Sequence, residues 1–126
     1  MSICFLNDKY LDLQEAKISP LDRGFLFGDA IYEVIIAVNK KPFELGAHLT
    51  RLKKNISSLK YSLSDQFDLE EIILEVISRN KFINQVIYVQ ISRGTDIVRD
   101  HIPSNDLIPT IFVSLSLIHI SEPTRP

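Results

Sequence analysis

The chain has one cysteine among its 126 residues, no apolar run of membrane length and no excess of positive charge. A lone Cys4 excludes an internal disulfide and fits a reducing compartment. No histidine or second cysteine neighbours it in sequence, so a thiol packed in a strand is expected rather than a reactive one. A membrane helix needs about 18 consecutive apolar residues, and the sequence has no such run. The N-terminus has no basic stretch leading into a long apolar one, because Asn7, Asp8 and Lys9 break it early; a cytoplasmic protein is expected. The formal net charge of −2 supplies no field for nucleic acid or an anionic membrane, and neither is expected as a partner. Several site patterns are missing too. There is no Walker-type phosphate loop, no GxGxxG and no serine-hydrolase elbow. His48, His101 and His119 have no metal-ligand spacing with the cysteine, so no metal site is expected.

What remains is an ordinary globular composition, 45% apolar and 24% charged. Its length suits one domain able to bury roughly two-thirds of its unfolded surface. Residues 2–6 and 9–13 read as short strands joined at Asn7-Asp8, and 15–18 as a third. Ser19-Pro20-Leu21-Asp22 carries a helix-start signal, with Gly24 limiting the helix to about one turn. A strand follows over 30–38, then a turn over 39–42. Leu45, Leu49, Leu52, Ile56 and Leu59 form an apolar stripe that predicts a helix over 44–60. Asp68 with Glu71 starts a second helix over 67–79, which Asn80 ends. Strands are expected over 85–93 and 109–117, with a polar loop over 94–108 between them. Strands, two helices, then strands predict an α+β fold: a mostly antiparallel sheet with both helices on one face. Residues 1–115 are taken as the domain and 116–126 as a disordered or foreign tail, since the sequence after Ile120 has no helix or strand logic.

The segment Asp22–Glu33, DRGFLFGDAIYE, holds two of the four glycines and leads at once into the apolar run Val34–Val38. An irregular, polar stretch that delivers Tyr32 onto a rigid strand is a common way to place a reactive or binding group. Arg51 interrupts the predicted helix beside its apolar stripe. Its planar guanidinium suits phosphate oxygens, though a solvated or snorkelling arginine fits the same spacing. Arg99 and His101 stand two apart in the loop. On an extended segment they project to one side, where the pair can grip a carboxylate. His48 reads as a partly exposed helix residue, and His119 is given no function.

Three blocks in this order, Asp22–Glu33, His48-Leu-Thr-Arg-Leu52 and Ile91–His101 (ISRGTDIVRDH), resemble the class IV, or fold-type IV, pyridoxal-phosphate aminotransferases. The likeness spans about residues 3–115 and is to the small N-terminal domain of that family. By resemblance, Arg51 looks like the arginine that binds the phosphate of pyridoxal 5'-phosphate. Tyr32 looks like the active-site tyrosine beside cofactor and substrate. Arg99 and His101 look like the carboxylate trap of D-amino-acid aminotransferases, which a neighbouring subunit contributes. The branched-chain group usually has Phe where Tyr32 stands. The loop from Arg93 to Arg99 is about one residue longer than in some relatives.

The resemblance implies amino-group transfer between a D-amino acid and a 2-oxo acid in a homodimer. That chemistry requires a lysine to hold the cofactor and move the α-proton. None of Lys9, Lys17, Lys40, Lys41, Lys53, Lys54, Lys60 and Lys81 matches the family's context for it. The chain is therefore expected to be a truncated part that lacks the catalytic lysine's domain and is inactive alone. Aminodeoxychorismate lyase and branched-chain aminotransferase fragments are alternatives within the family. A non-catalytic binding or dimerisation domain is the alternative outside it.

Overall fold

The computed structural model describes residues 2–61, 63 and 67–118. Six strands form a single sheet: β1 Ile3–Leu6, β2 Lys9–Asp12, β3 Ala30–Val38, β4 Lys41–Pro42, β5 Gln85–Ser92 and β6 Thr110–Leu117. Their spatial order is β2-β1-β6-β5-β3-β4, and every named pair is antiparallel. Both edges are short, which limits the unpaired backbone open to another chain. Three α-helices complete the fold: α1 Arg23–Phe27, α2 Leu45–Ser58 and α3 Leu69–Arg79.

Alternation along the strands assigns the two faces of the sheet. Ile31, Ile35 and Ala37 of β3, Ile87, Val89 and Ile91 of β5, and Ile111, Val113 and Leu115 of β6 share one buried face. Register stacks them in rows, Ile31 beside Ile91 beside Ile111, and Ile35 beside Ile87 beside Leu115. Leu49, Leu52 and Ile56 of α2, with Leu69, Ile72, Ile73, Val76 and Ile77 of α3, close this face. The expected α+β architecture, an antiparallel sheet with two helices on one face, is the one found. Asp68 caps α3 by accepting from Glu71 N–H at 3.2 Å. Asn80 ends it, and its amide fastens the helix to β1 through Ile3 N–H and Ile3 C=O.

Three expectations fail. The turn expected over 39–42 is confined to Asn39-Lys40, and Lys41–Pro42 pair with β3 as β4. Residues 15–18 form no strand. The chain closes a 3-10 turn over Leu13–Glu15, with Ala16 N–H on Leu13 C=O at 3.2 Å, and so leaves the sheet at β2, its edge. The first helix starts three residues later than the Ser19 signal implies. Pro20 sits in a turn closed by Asp22 N–H on Ser19 C=O, and Asp22 is the cap that accepts from Gly24 N–H at 2.8 Å. The expected brevity holds, since α1 is five residues long and ends at Gly28 in the left-handed region, φ +66°. His119 and most of the proposed tail lie outside the described residues.

Candidate active site

Asp22–Glu33 is a hub whose side chains touch Arg51, Arg99 and His101, and Tyr32 is part of it. Asp22 is buried and bridges Gly24 N–H to the Thr110 hydroxyl at 2.6 Å. Arg23 N–H donates to Gly94 C=O at 2.8 Å, and Arg93 N–H to Asp29 C=O at 3.0 Å. Gly94 has φ +114°, and a Cβ there would overlap the Ile108 carbonyl, so this stitch requires glycine. The segment thus lies against the start of the Arg99–His101 loop before it enters β3.

Asp29 is the electrostatic centre. Its Oδ2 accepts from Arg23 Nε at 3.1 Å and Arg93 Nε at 2.6 Å, and its Oδ1 from the Tyr61 hydroxyl at 3.0 Å. Partial burial alone would raise its pKa. The bonds from Arg93, Arg23 and Tyr61 outweigh that and hold the carboxyl below its ordinary range. Burial, then the charge of Asp29, push the Tyr61 hydroxyl well above its usual value, so it stays a neutral donor. Arg93 lies over the Tyr61 ring at 4.7 Å and donates to Leu59 C=O, tying the end of α2 to β5.

Arg23 is 3% exposed. Beyond Asp29 it donates through Nη1 to Asp100 C=O at 2.6 Å and through Nη2 to His101 C=O at 2.9 Å. The loop's base is closed separately: buried Asp96 accepts from Ser104 N–H, the Ser104 hydroxyl and Val98 N–H. These bonds, the Ser104 N–H first, hold the Asp96 carboxyl below its ordinary value. Arg99 and His101 do come together, both against Phe27 of α1. The Arg99 guanidinium lies 5.6 Å from the ring centre and the imidazole of His101 5.2 Å from it. The segment carrying them is bent rather than a strand, so the shared aromatic ring, not strand alternation, brings them together.

Tyr32 and Arg51 are placed on different sides of β3. Tyr32 points to the sheet face away from the helices and is 69% exposed. One strand over, in register, stands Gln90, which with Leu6, Ile18, Phe25 and Phe112 lines an open cleft of about 490 Å³. Glu33, the next residue, turns inward and is buried. Its carboxylate takes a two-point bond from Arg51, Nε and Nη2 each at 2.7 Å, and contacts His48 Nδ1 at 2.7 Å. The Arg51 bonds chiefly, with those of His48, hold Glu33 below the usual carboxylate range against burial. Arg51 is therefore neither loose nor snorkelling. Its side chain is 63% exposed and clamped on one edge. Its Nη1 makes no hydrogen bond among the described residues, a fixed cation that fits a phosphate group.

His48 is the partly exposed helix residue expected, and it is also half of a polar clasp with Arg51 on Glu33. Arg23, Asp29, Glu33, Tyr61 and Arg93 went unread in the sequence, although Glu33 had a trace: a charge on the inward phase of an apolar strand. All eight lysines are exposed. Among the described residues no helix is long and apolar enough to cross a membrane, and no cluster of metal-binding side chains occurs.

Comparison with known proteins identifies the family of the chain. The family model described as amino-transferase class IV matches residues 30–125, a stretch that includes Tyr32, Arg51, Arg99 and His101. A D-alanine aminotransferase of Staphylococcus haemolyticus is 33% identical over 112 residues, 88% of this chain and 40% of that protein. One from Listeria monocytogenes is 26% identical over 102 residues, 80% of this chain and 35% of its own length. The chain thus spans about 40% or less of these relatives. Among solved structures, the branched-chain aminotransferase of the archaeon Thermoproteus uzoniensis with norvaline superposes with a TM-score of 0.77 at 19% identity, over 94% of this chain and 41% of that one. The Escherichia coli branched-chain enzyme gives 0.81 at 17% identity, over 93% and 40%. These last two likenesses concern the fold. With the family's model matched from the first residue of β3 through residue 125, the chain belongs to the class IV aminotransferases.

Proposed function

We propose that the chain supplies one wall of the active site of a pyridoxal-phosphate aminotransferase that moves an amino group between a D-amino acid and a 2-oxo acid. The observation that carries this is the pairing of Arg99 with His101 on Phe27, in a chain that also presents Tyr32 and a clamped Arg51. Bound pyridoxal phosphate supplies an electron sink for charge at the substrate α-carbon. Arg51 holds the phosphate, and Glu33 fixes its guanidinium so that little ordering remains on binding. Tyr32 offers a hydroxyl beside the reacting centre from the start of β3, where it is paired in register with Gln90 of β5. Arg99 and His101 bind the substrate carboxylate.

The tip of the Arg99–His101 loop exposes Ile97, Val98 and Ile102, with Ile97 at 90%. Apolar side chains around a carboxylate-binding pair suit insertion into a second subunit, so the reading includes a homodimer in which each loop completes the neighbour's site. The lysine that moves the α-proton comes from outside residues 1–126, and this chain alone is inactive. A borohydride-reducible adduct of pyridoxal phosphate at a single lysine of this chain would overturn that point.

The protein of the complete gene tests the rest. Transamination of D-alanine is expected, with Arg99→Ala raising KM for the amino acid at least 10-fold. A preference for L-leucine would reassign the chain to the branched-chain group. Release of pyruvate from aminodeoxychorismate would reassign it to the lyases, and absence of all three activities to a binding module.

A further inference from the structure

We infer that Arg23 is a positioning residue of the substrate-carboxylate site: its buried guanidinium fixes the backbone at Asp100 and His101 and so sets where Arg99 and His101 stand on Phe27. The inference rests on the reading of Arg99 and His101 given above and deepens it.

The loop has few ties to the rest of the molecule. Within residues 96–104 the hydrogen bonds found among the described residues are the loop's own, with two exceptions. Leu21 C=O accepts from Asp96 N–H at the base, and Arg23 donates twice in the middle. The Asp96–Ser104 clasp sets where the loop leaves and returns. It does not set how the stretch between them folds over α1. Arg23 does, through carbonyls 77 and 78 residues away in sequence.

The dependence runs both ways. A guanidinium that is 3% exposed needs a partner for its charge and for its N–H groups. Asp29 supplies the charge but shares it with Arg93. The two carbonyls satisfy the outer edge of the fork. The Arg23 guanidinium also lies 4.6 Å from the Phe27 ring centre, so the ring that Arg99 and His101 rest on is itself packed against Arg23. A lysine could keep the pair with Asp29, but its point charge cannot span two successive carbonyls in a plane.

Proton NMR of this chain decides the matter. The imidazole of His101, 5.2 Å from Phe27, reports the loop through its ring-current shift. In Arg23→Lys and Arg23→Gln the His101 ring protons are expected to move most of the way to random-coil positions, and the amides of 98–102 with them. The methyls of Ile35, Ile87 and Ile111, in the core, keep their wild-type shifts. Should the Gln variant not fold, Arg23→Lys alone carries the test, since it keeps a cation beside Asp29 and removes only the planar fork. Unchanged His101 and loop signals in folded variants overturn the inference, as does movement of core and loop together in all of them. In the complete protein, Arg23→Lys is expected to raise KM for the amino acid about as much as Arg99→Ala, with kcat within about threefold. If Arg99→Ala leaves KM unchanged while Arg23→Lys still releases His101, the functional reading of the pair fails and the role of Arg23 as the loop's anchor stands.

Discussion

The two faces of the sheet are built to different rules. The helix-covered face is continuous Ile, Val and Leu in register, interrupted by Glu33 and Gln85. Its one charged group is answered at once by Arg51 and His48. The opposite face mixes exposed Val34, Ile36 and Tyr88 with Gln90, Ser114 and Ser116, and from it rises Tyr32. The first face makes the fold, and the second is half-finished as a surface. Too apolar for water over its whole extent and too polar for a core, it has the composition of a wall awaiting something to face.

The contrast predicts unequal sensitivity. Ile87→Ala, at a fully buried position of a central strand, is expected to cost about 2–5 kcal/mol in urea unfolding. A loss below about 1 kcal/mol would mean that the covered face is loosely packed. A smaller effect concerns acid. Asp29 and Glu33 both have folded-state pKa values lowered by their partners. Their stabilisation is therefore fully present above the ordinary carboxylate values of about 4 and is lost as pH falls through the lower folded values. The urea midpoint of the wild type should drop below about pH 4, and more shallowly in Asp29→Asn and Glu33→Gln. Equal slopes would show that these clasps add nothing. The smallest effect is on the open face. Val34→Thr and Ile36→Thr are expected to stay within about 0.5 kcal/mol of the wild type. They should nonetheless reduce self-association in sedimentation velocity. A monomer that is clean at high concentration before any substitution would mean that the open face is not sticky.

The covered face was legible because its signals are local and periodic. The spacing of Leu49, Leu52 and Ile56 predicts α2, and Asp68 with Glu71 predicts the start of α3 almost to the residue. The site was legible only in part. Tyr32, Arg51, Arg99 and His101 stand out as chemistry-bearing side chains near motifs, but what holds them does not. Arg23 with His101, Asp29 with Arg93 and Glu33 with Arg51 are separated by 78, 64 and 18 residues, and a single pair at such distances leaves no period to detect. The failure at 15–18 is of another sort. Of those residues only Ile18 favours a strand, Glu15, Ala16 and Lys17 do not, and the chain turns away from the sheet at Leu13–Glu15.

The sheet order carries a consequence for how the molecule is made. β1, which precedes the other described strands in sequence, pairs on its inner side with β6, which follows them, through Phe5 beside Val113. Until residue 113 has emerged, β1 and β2 lack their neighbouring strand and have only α3, through Asn80 and Ile3, to dock on, and two-stranded hairpins are marginal alone. The pairing between α2, α3, β3 and β5 can form earlier. Such distant pairing makes folding slow and leaves strand edges open to neighbours while synthesis continues. A nascent chain stalled before β6 should thus be held by chaperones and cut by proteases, while one stalled a short way beyond Leu117 should already resist them.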